Sequence, residues 1–308
     1  LLTVLFSITN NKIFFLFQTS VGNYFIIPFA ILISFYIING KMSALKIDEN
    51  GKTFISANKY FYYALVVGCF ASISSAYYGY LYVILLLISG LILFLRNQKL
   101  SKEVFSIIII VFLLILISIL INYSSLIFWL KNGKIDIITR KPIEVNYYGI
   151  SIAPLLLPIE DHVIKSFSEL AIEFKNVFYL SGEKGFHQLG MLASIGFCSL
   201  LGFSISSMFM IHKKNLKYKF YGLEFKQEKY FILSLIASLN LLLILFLHSE
   251  SFLLFLHFYF MNIRAISRFN VVFILLALIF FGIIFDELIN QKKIFKKTKS
   301  LIFIIIKQ

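Results

Sequence analysis

The chain has 308 residues, of which 59% are hydrophobic and 14% charged, against roughly 45–50% and about 25% in ordinary globular domains. That balance excludes a soluble domain, because 36 Phe, 17 Tyr and long aliphatic runs offer far more apolar surface than one core can hide. A formal net charge of +14 would suggest nucleic acid in a soluble protein, but here the lysines and arginines lie between the apolar runs and read as topology signals, so no nucleic-acid partner is expected.

Uninterrupted apolar runs predict spanning helices, because a backbone in hydrocarbon must satisfy its hydrogen bonds within its own segment. In chain order the complete runs are 21–40, 60–76, 79–95, 104–122, 189–211, 230–247 and 269–285, with partial runs at 1–8 and from 301. No Met stands at position 1, and Leu301–Ile306 is far short of the roughly 20 residues that a span needs. Both ends are therefore expected to be cut from a longer protein. The apolar stretch Tyr60–Leu95 is read as two helices joined near Ser74–Tyr80. As one helix it would be roughly 54 Å long, far beyond the ~30 Å hydrocarbon core.

The hairpin reading also settles charge parity. It brings Lys41, Lys46, Lys52 and Lys59 to the same face as Arg96, Lys99 and Lys102. Lys213, Lys214, Lys217, Lys219, Lys226 and Lys229 then follow on that face, as do Lys292, Lys293, Lys296, Lys297 and Lys299. The positive-inside rule assigns 40–59, 96–103, 212–229 and 286–300 to the cytoplasm. The long segment 123–188 goes to the opposite side, since loops of that length translocate largely regardless of charge. The expected fold class is thus all-α, a single polytopic transmembrane helix bundle over 1–308 with one long outer loop at 123–188. A multi-pass protein of the cell inner (plasma) membrane is expected, with the lipid bilayer as its first partner. The Ile, Lys, Asn and Phe bias resembles that of a low-GC bacterial genome.

The outer loop opens with Leu126–Leu130, whose lone Trp129 suits a membrane–water interface. It passes through the extended stretch Lys134–Pro142 and reaches Pro158, Glu160, Asp161 and His162. Val163, Phe167, Leu170, Phe174 and Phe178 then recur at helical steps, with Lys165, Glu169 and Glu173 on another face. This pattern predicts an amphipathic surface helix over roughly Glu160–Leu180, lying on the outer leaflet or against the bundle. Glu160 and Asp161 would sit in its first turn, where acids suit the helix dipole.

Two places could carry chemistry. Glu144, Tyr148 and His162 combine polar groups and aromatics just outside the membrane, and a His within reach of a carboxylate can orient a substrate or shuttle a proton. The plain alternative is a structured linker. Arg264 and Arg268 are four apart, hence on one helical face at the outer end of a span. A planar guanidinium fork favours bidentate phosphate binding, although both side chains could simply snorkel to lipid phosphates. His257 and Glu250 lie upstream and could line the same pocket. His187, His212 and His248 have no metal spacing. Cys69 and Cys198 lie inside apolar runs and read as small buried thiols, with no disulfide or zinc site. No cofactor is identified, and the sequence gives a divalent metal no ligand set.

The segments Glu144–Pro158 with His162, Met261–Phe269, Gly22–Pro28 and Ser75–Tyr78 resemble bacterial membrane proteins related to GT-C-type glycosyltransferases, some of them labelled sugar transferases or translocases. The resemblance covers about a fifth of the chain. It implies a lipid-linked sugar donor on a polyprenyl phosphate, approached from the outer face, in cell-envelope glycan assembly. It also implies a catalytic acid in a first outer loop, which is expected to precede Leu1, so no catalytic residue is assigned. An O-antigen polymerase or ligase would share the long outer loop and outer arginines. A lipid-linked-sugar flippase or other transporter would be favoured by ionisable residues at mid-membrane, and the spans carry almost none.

Overall fold

The computed structural model describes residues 25–47, 53–74, 76–97, 102–121, 123–132, 152–158, 160, 162, 164–178, 189–210, 219–220, 223–224, 227–247 and 269–292. A helix forms at each of the seven predicted spans: α1 (Ile26–Ile38), α2 (Lys59–Ser74), α3 (Ala76–Asn97), α4 (Lys102–Ile121), α8 (Met191–Met210), α9 (Gln227–Leu247) and α10 (Asn270–Lys292). Among the described residues, three more helices lie between α4 and α8, namely α5 (Tyr123–Asn132), α6 (Ile152–Leu156) and α7 (Lys165–Phe178). The fold is an all-α polytopic bundle. Among the described residues, four helices are long and apolar enough to cross a membrane, over Tyr78–Leu95, Lys102–Ile121, Lys229–Leu247 and Asn270–Asn290. The protein is accordingly a membrane protein. α1 and Leu192–Ser206 within α8 are apolar but shorter; the 13 residues of α1 rise about 20 Å against a core of about 30 Å.

The break inside Tyr60–Leu95 is where the sequence places it, between Ser74 and Ala76. α2 and α3 then return antiparallel in close contact. A β-carbon added to Gly79 would lie 3.1 Å from the Cα of Ser72, and one on Gly68 would meet Tyr82 Cε1 and Leu114 Cδ1, both at 2.8 Å. Glycine is used here because two other helices occupy the space. The Tyr82 hydroxyl donates to the Ala64 carbonyl at 2.6 Å, tying the hairpin across its buried face.

Two small hairpins interrupt the helical pattern, an addition to the all-α expectation. β1 (Leu45–Ile47) pairs antiparallel with β2 (Thr53–Ile55), and β3 (Lys219–Phe220) with β4 (Leu223–Glu224). The first is held by local chemistry. α1 ends on Gly40 at φ +66°, with Gly40 N–H donating to Ile37 O and Lys41 N–H to Tyr36 O. This is the paired bonding of a Schellman stop, which a left-handed glycine permits. Asn58 caps α2 by accepting from Phe61 N–H at 3.1 Å, while its amide donates to Lys41 O at 2.7 Å. Ser106 of α4 accepts from Ala44 N–H at 2.6 Å, so the corner is pinned to a third helix.

These links fix the direction of α1 to α4, α9 and α10. The corner that carries Lys41, Lys59 and Lys102 gathers the end of α1, the start of α2, the end of α3 and the start of α4. Tyr80 and Phe269, with ring centroids 6.3 Å apart, bring the starts of α3 and α10 together at the opposite end. The end of α10 therefore returns to the basic end, where Lys229 at the start of α9 donates to Asp286 at 2.9 Å and to Glu287 at 2.7 Å. We call the two ends the basic end and the loop end.

The core is filled by large side chains. Tyr82, Phe197, Phe203, Phe273 and Phe280 are fully buried. Phe203 lies against both Phe280 and Tyr230, at 5.5 and 5.3 Å between centroids. α1 to α4 form one packed group and α8 to α10 another, joined by α3 against α9 and α1 against α10. The outer surface is an apolar belt that includes Tyr62, Val66, Phe70, Ile108, Phe112 and Ile115. Such a belt suits lipid rather than water. Cys198 is exposed on that surface and Cys69 is half-buried, so the buried-thiol expectation fails for Cys198. A residue inside an apolar run of a membrane helix can face lipid as readily as the core.

Candidate functional site

The loop end of the bundle is where the segments with candidate chemistry meet the described structure. α6 is only five residues long, yet Leu155 is buried and belongs to the bundle core, with Ile152 and Leu156 packed against it. The Leu155 carbonyl accepts from Leu189 N–H at 3.0 Å. Gly190, at φ +78°, then turns the chain into α8, and its carbonyl accepts from Ser194 N–H. On the other flank, Phe269 is buried beside Tyr80, and Asn270 beside it is also buried. The stretch ending at Pro158 and the one ending at Arg268 thus both join the bundle at the loop end.

His162 lies among the described residues. Its Nδ1 accepts from Ile164 N–H at 3.0 Å, and its ring meets Phe167 edge-on at 5.2 Å. An accepting Nδ1 leaves the neutral imidazole with its proton on Nε2. The side chain thereby organises the start of α7. Ile164 is the capping residue, since its carbonyl takes Ser168 N–H, and the Ser168 hydroxyl donates back to Glu160 O. The helix consequently starts at Lys165 with no acid in its first turn. Glu160 and Asp161 precede it, contrary to the sequence expectation, because His162 and Ile164 supply the start. Arg264, Arg268, Glu144, Tyr148 and His257 lie outside the described residues, as do Glu250 and the Lys134–Pro142 stretch.

Two polar features inside the bundle were not singled out from sequence. Asn240 lies on the α9 stripe Leu233, Ile236, Asn240, Leu243 and Leu247, all essentially inaccessible, with Asn240 at 0% exposure. Among the described residues, neither its amide nitrogen nor its oxygen has a hydrogen-bond partner. The buried serines differ, because Ser34, Ser89 and Ser204 each donate to the carbonyl four residues back. An asparagine amide can bond the same way, as Asn132 does to Phe128 O at 2.8 Å, but Asn240 does not. The second feature is Lys229 with Asp286 and Glu287, one cation on two carboxylates, with the Glu287 side chain only 11% exposed. The only sequence signal was a lone amide on an apolar stripe and an acid pair at the end of a span.

Among the described residues, no group of three or more His, Cys, Asp or Glu could hold a metal ion. Comparison with protein-family models, with curated proteins and with solved structures returns no match.

Proposed function

We propose that the chain is the membrane domain of a transferase that takes a sugar from a polyprenyl-phosphate carrier at the outer membrane surface, for a cell-envelope glycan. The observation that carries the reading is the convergence at the loop end: α6, the start of α8 and the start of α10 bring the flanks of 144–158 and 261–268 to one end of the bundle. Such chemistry needs a carboxylate to take the acceptor proton and cations to steady the leaving phosphate. Arg264 and Arg268 suit the second task. Placing the basic end in the cytoplasm of an inner membrane puts both on the outer side. The filled aromatic core around Phe197, Phe203, Phe273 and Phe280 favours work at a surface over passage through the bundle.

The test compares glycan transfer by Arg264→Lys, Arg268→Lys and the two alanine variants at matched protein level. A charge-assisted hydrogen bond contributes about 1.5–3 kcal/mol, so each alanine should lower transfer by about tenfold or more, and lysine should restore charge but not the fork. Normal transfer by a well-expressed double alanine variant overturns the role of the arginines.

A second reading, a translocase for the same class of lipid-linked sugar, draws on Asn240, a polar group without a partner at the centre of the bundle. Loss of transport in Asn240→Leu, with transfer chemistry absent, would favour it.

A further inference from the structure

Three lysines meet at the corner where α1 ends and α2 and α4 begin, and two short polar side chains hold them there. Asn58 donates to the Lys41 carbonyl at 2.7 Å and directly precedes Lys59, the first residue of α2. The Ser106 hydroxyl accepts from Ala44 N–H at 2.6 Å and donates to the Lys102 carbonyl at 2.7 Å. Lys41, Lys59 and Lys102 are all exposed, and among the described residues none of them has a carboxylate partner. Glu103, next to Lys102, is buried instead. By sequence, the stretches 39–59 and 96–103, which meet here, carry seven basic residues against three acids, so positive charge is left over however individual pairs form.

Tyrosines fix the depth of this charge in the bilayer. Lys59 Nζ lies 5.3 Å from the centre of the Tyr60 ring, which stands 4.7 Å from Tyr36 and 6.3 Å from Tyr63 between centroids. Tyr63, one turn further along α2, is 53% exposed. Tyrosine collects at the membrane–water boundary because its ring is apolar and its hydroxyl is not. Beyond it the exposed side chains are hydrocarbon, among them Val66 and Phe70 on α2 and Ile108 and Phe112 on α4. These two helices pack side by side, with Gly68 against Leu114. The lysines therefore sit at the level of lipid headgroups, at the head of an apolar flank that acyl chains can follow.

We infer that this corner is a binding site for the phosphate of an anionic phospholipid in the leaflet at the basic end, with Lys41, Lys59 and Lys102 around the headgroup and the acyl chains along α2 and α4. A zwitterionic headgroup brings its own ammonium group, which the three lysines repel. Net negative charge is what the corner selects, and each lysine near such a headgroup contributes a preference of about fivefold.

The intact chain, reconstituted in bilayers of phosphatidylcholine, provides the test. Val66→Trp in a Trp129→Phe background leaves a single tryptophan just inside the hydrocarbon from Tyr63. Phosphatidylglycerol brominated on its acyl chains, added as a minor fraction, should quench it as though enriched about fivefold or more over phosphatidylcholine brominated in the same way. Lys41→Gln, Lys59→Gln and Lys102→Gln together should abolish the enrichment. Lys292→Gln, Lys293→Gln and Lys296→Gln together, an equal loss of charge at the end of α10 and beyond it, should leave it unchanged. Equal quenching by the two lipids in the parent, or enrichment that survives the corner variant, overturns the site. Equal loss in both triple variants overturns it in favour of the general surface charge. If the corner variant melts early, Lys59→Gln alone carries the test, with a drop of about twofold or more expected and an unchanged enrichment overturning the site.

Discussion

Gly196 of α8 and Ala277 of α10 lie so close that a β-carbon on the glycine would stand 2.5 Å from the Ala277 carbonyl oxygen and 3.1 Å from Cβ of Phe281. The obstacle is backbone, which cannot rotate aside, and Ala277 is itself buried. Small residues at such crossings let helices associate by close packing in a medium that supplies little hydrophobic drive between them.

Gly196→Ala should therefore push α8 from α10 and lower stability by about 1–3 kcal/mol, the usual cost of overpacking. Gly196→Val should cost more. Unfolding of the purified protein in detergent measures both. Wild-type stability in the valine variant would mean that the two helices are not in this contact.

The clamp at the basic end gives a second test. Lys229→Ala leaves the largely buried Glu287 carboxylate without its cation, whereas Asp286→Asn removes an acid that is 61% exposed. Loss of a charged hydrogen bond costs about 1.5–3 kcal/mol, reduced here because Lys229 is itself partly open to solvent. A loss of about 1–2 kcal/mol is expected for Lys229→Ala and less than about 1 kcal/mol for Asp286→Asn. A double-mutant cycle between Lys229 and Glu287 with no coupling would show that the pair does not join α9 to α10.

Asn240 predicts the opposite sign. An unsatisfied buried polar group costs about 1–3 kcal/mol, and leucine has the same branched outline without the polar atoms. Asn240→Leu should stabilise the bundle by an amount of that order. A less stable leucine variant would show that the amide is bonded within the membrane.

Sidedness can be read in intact cells. A cysteine at Lys165, exposed on α7, should react with an impermeant thiol reagent, while one at Lys41 beside the first hairpin should react only after permeabilisation. The reverse pattern would invert the assignment of the two ends.

The sequence carries the helices well and their partners poorly. Runs such as Lys102–Ile121 are legible because hydrocarbon demands continuous apolarity and an internally bonded backbone, so most boundaries fall within three residues of those expected, while α10 continues to Lys292, seven residues past the expected end. The break after Ser74 was legible from length and charge parity. The hairpin at Leu45–Ile55 was not, because its pairing depends on Asn58 reaching Lys41 O and on Ser106 approaching from α4. That His162 Nδ1 accepts from the backbone of Ile164 was not legible either, because sequence does not reveal which way a side chain turns. Phe167 and Leu170 carried a clear helical period, but periodicity alone could not say whether that face met the bundle or lipid.

The bond between Ala44 N–H and Ser106 Oγ also has a bearing on assembly in time. Its two residues are separated by 62 positions, so while the chain is being made the corner after α1 waits for α2 and α3 to be laid down and for α4 to begin. At about 5–20 residues per second, that interval is roughly 3–12 s. During that wait the α1–α2 corner is held by Gly40, Ser43, Asn58 and its own strands, and the arrival of α4 locks the first four helices as a unit.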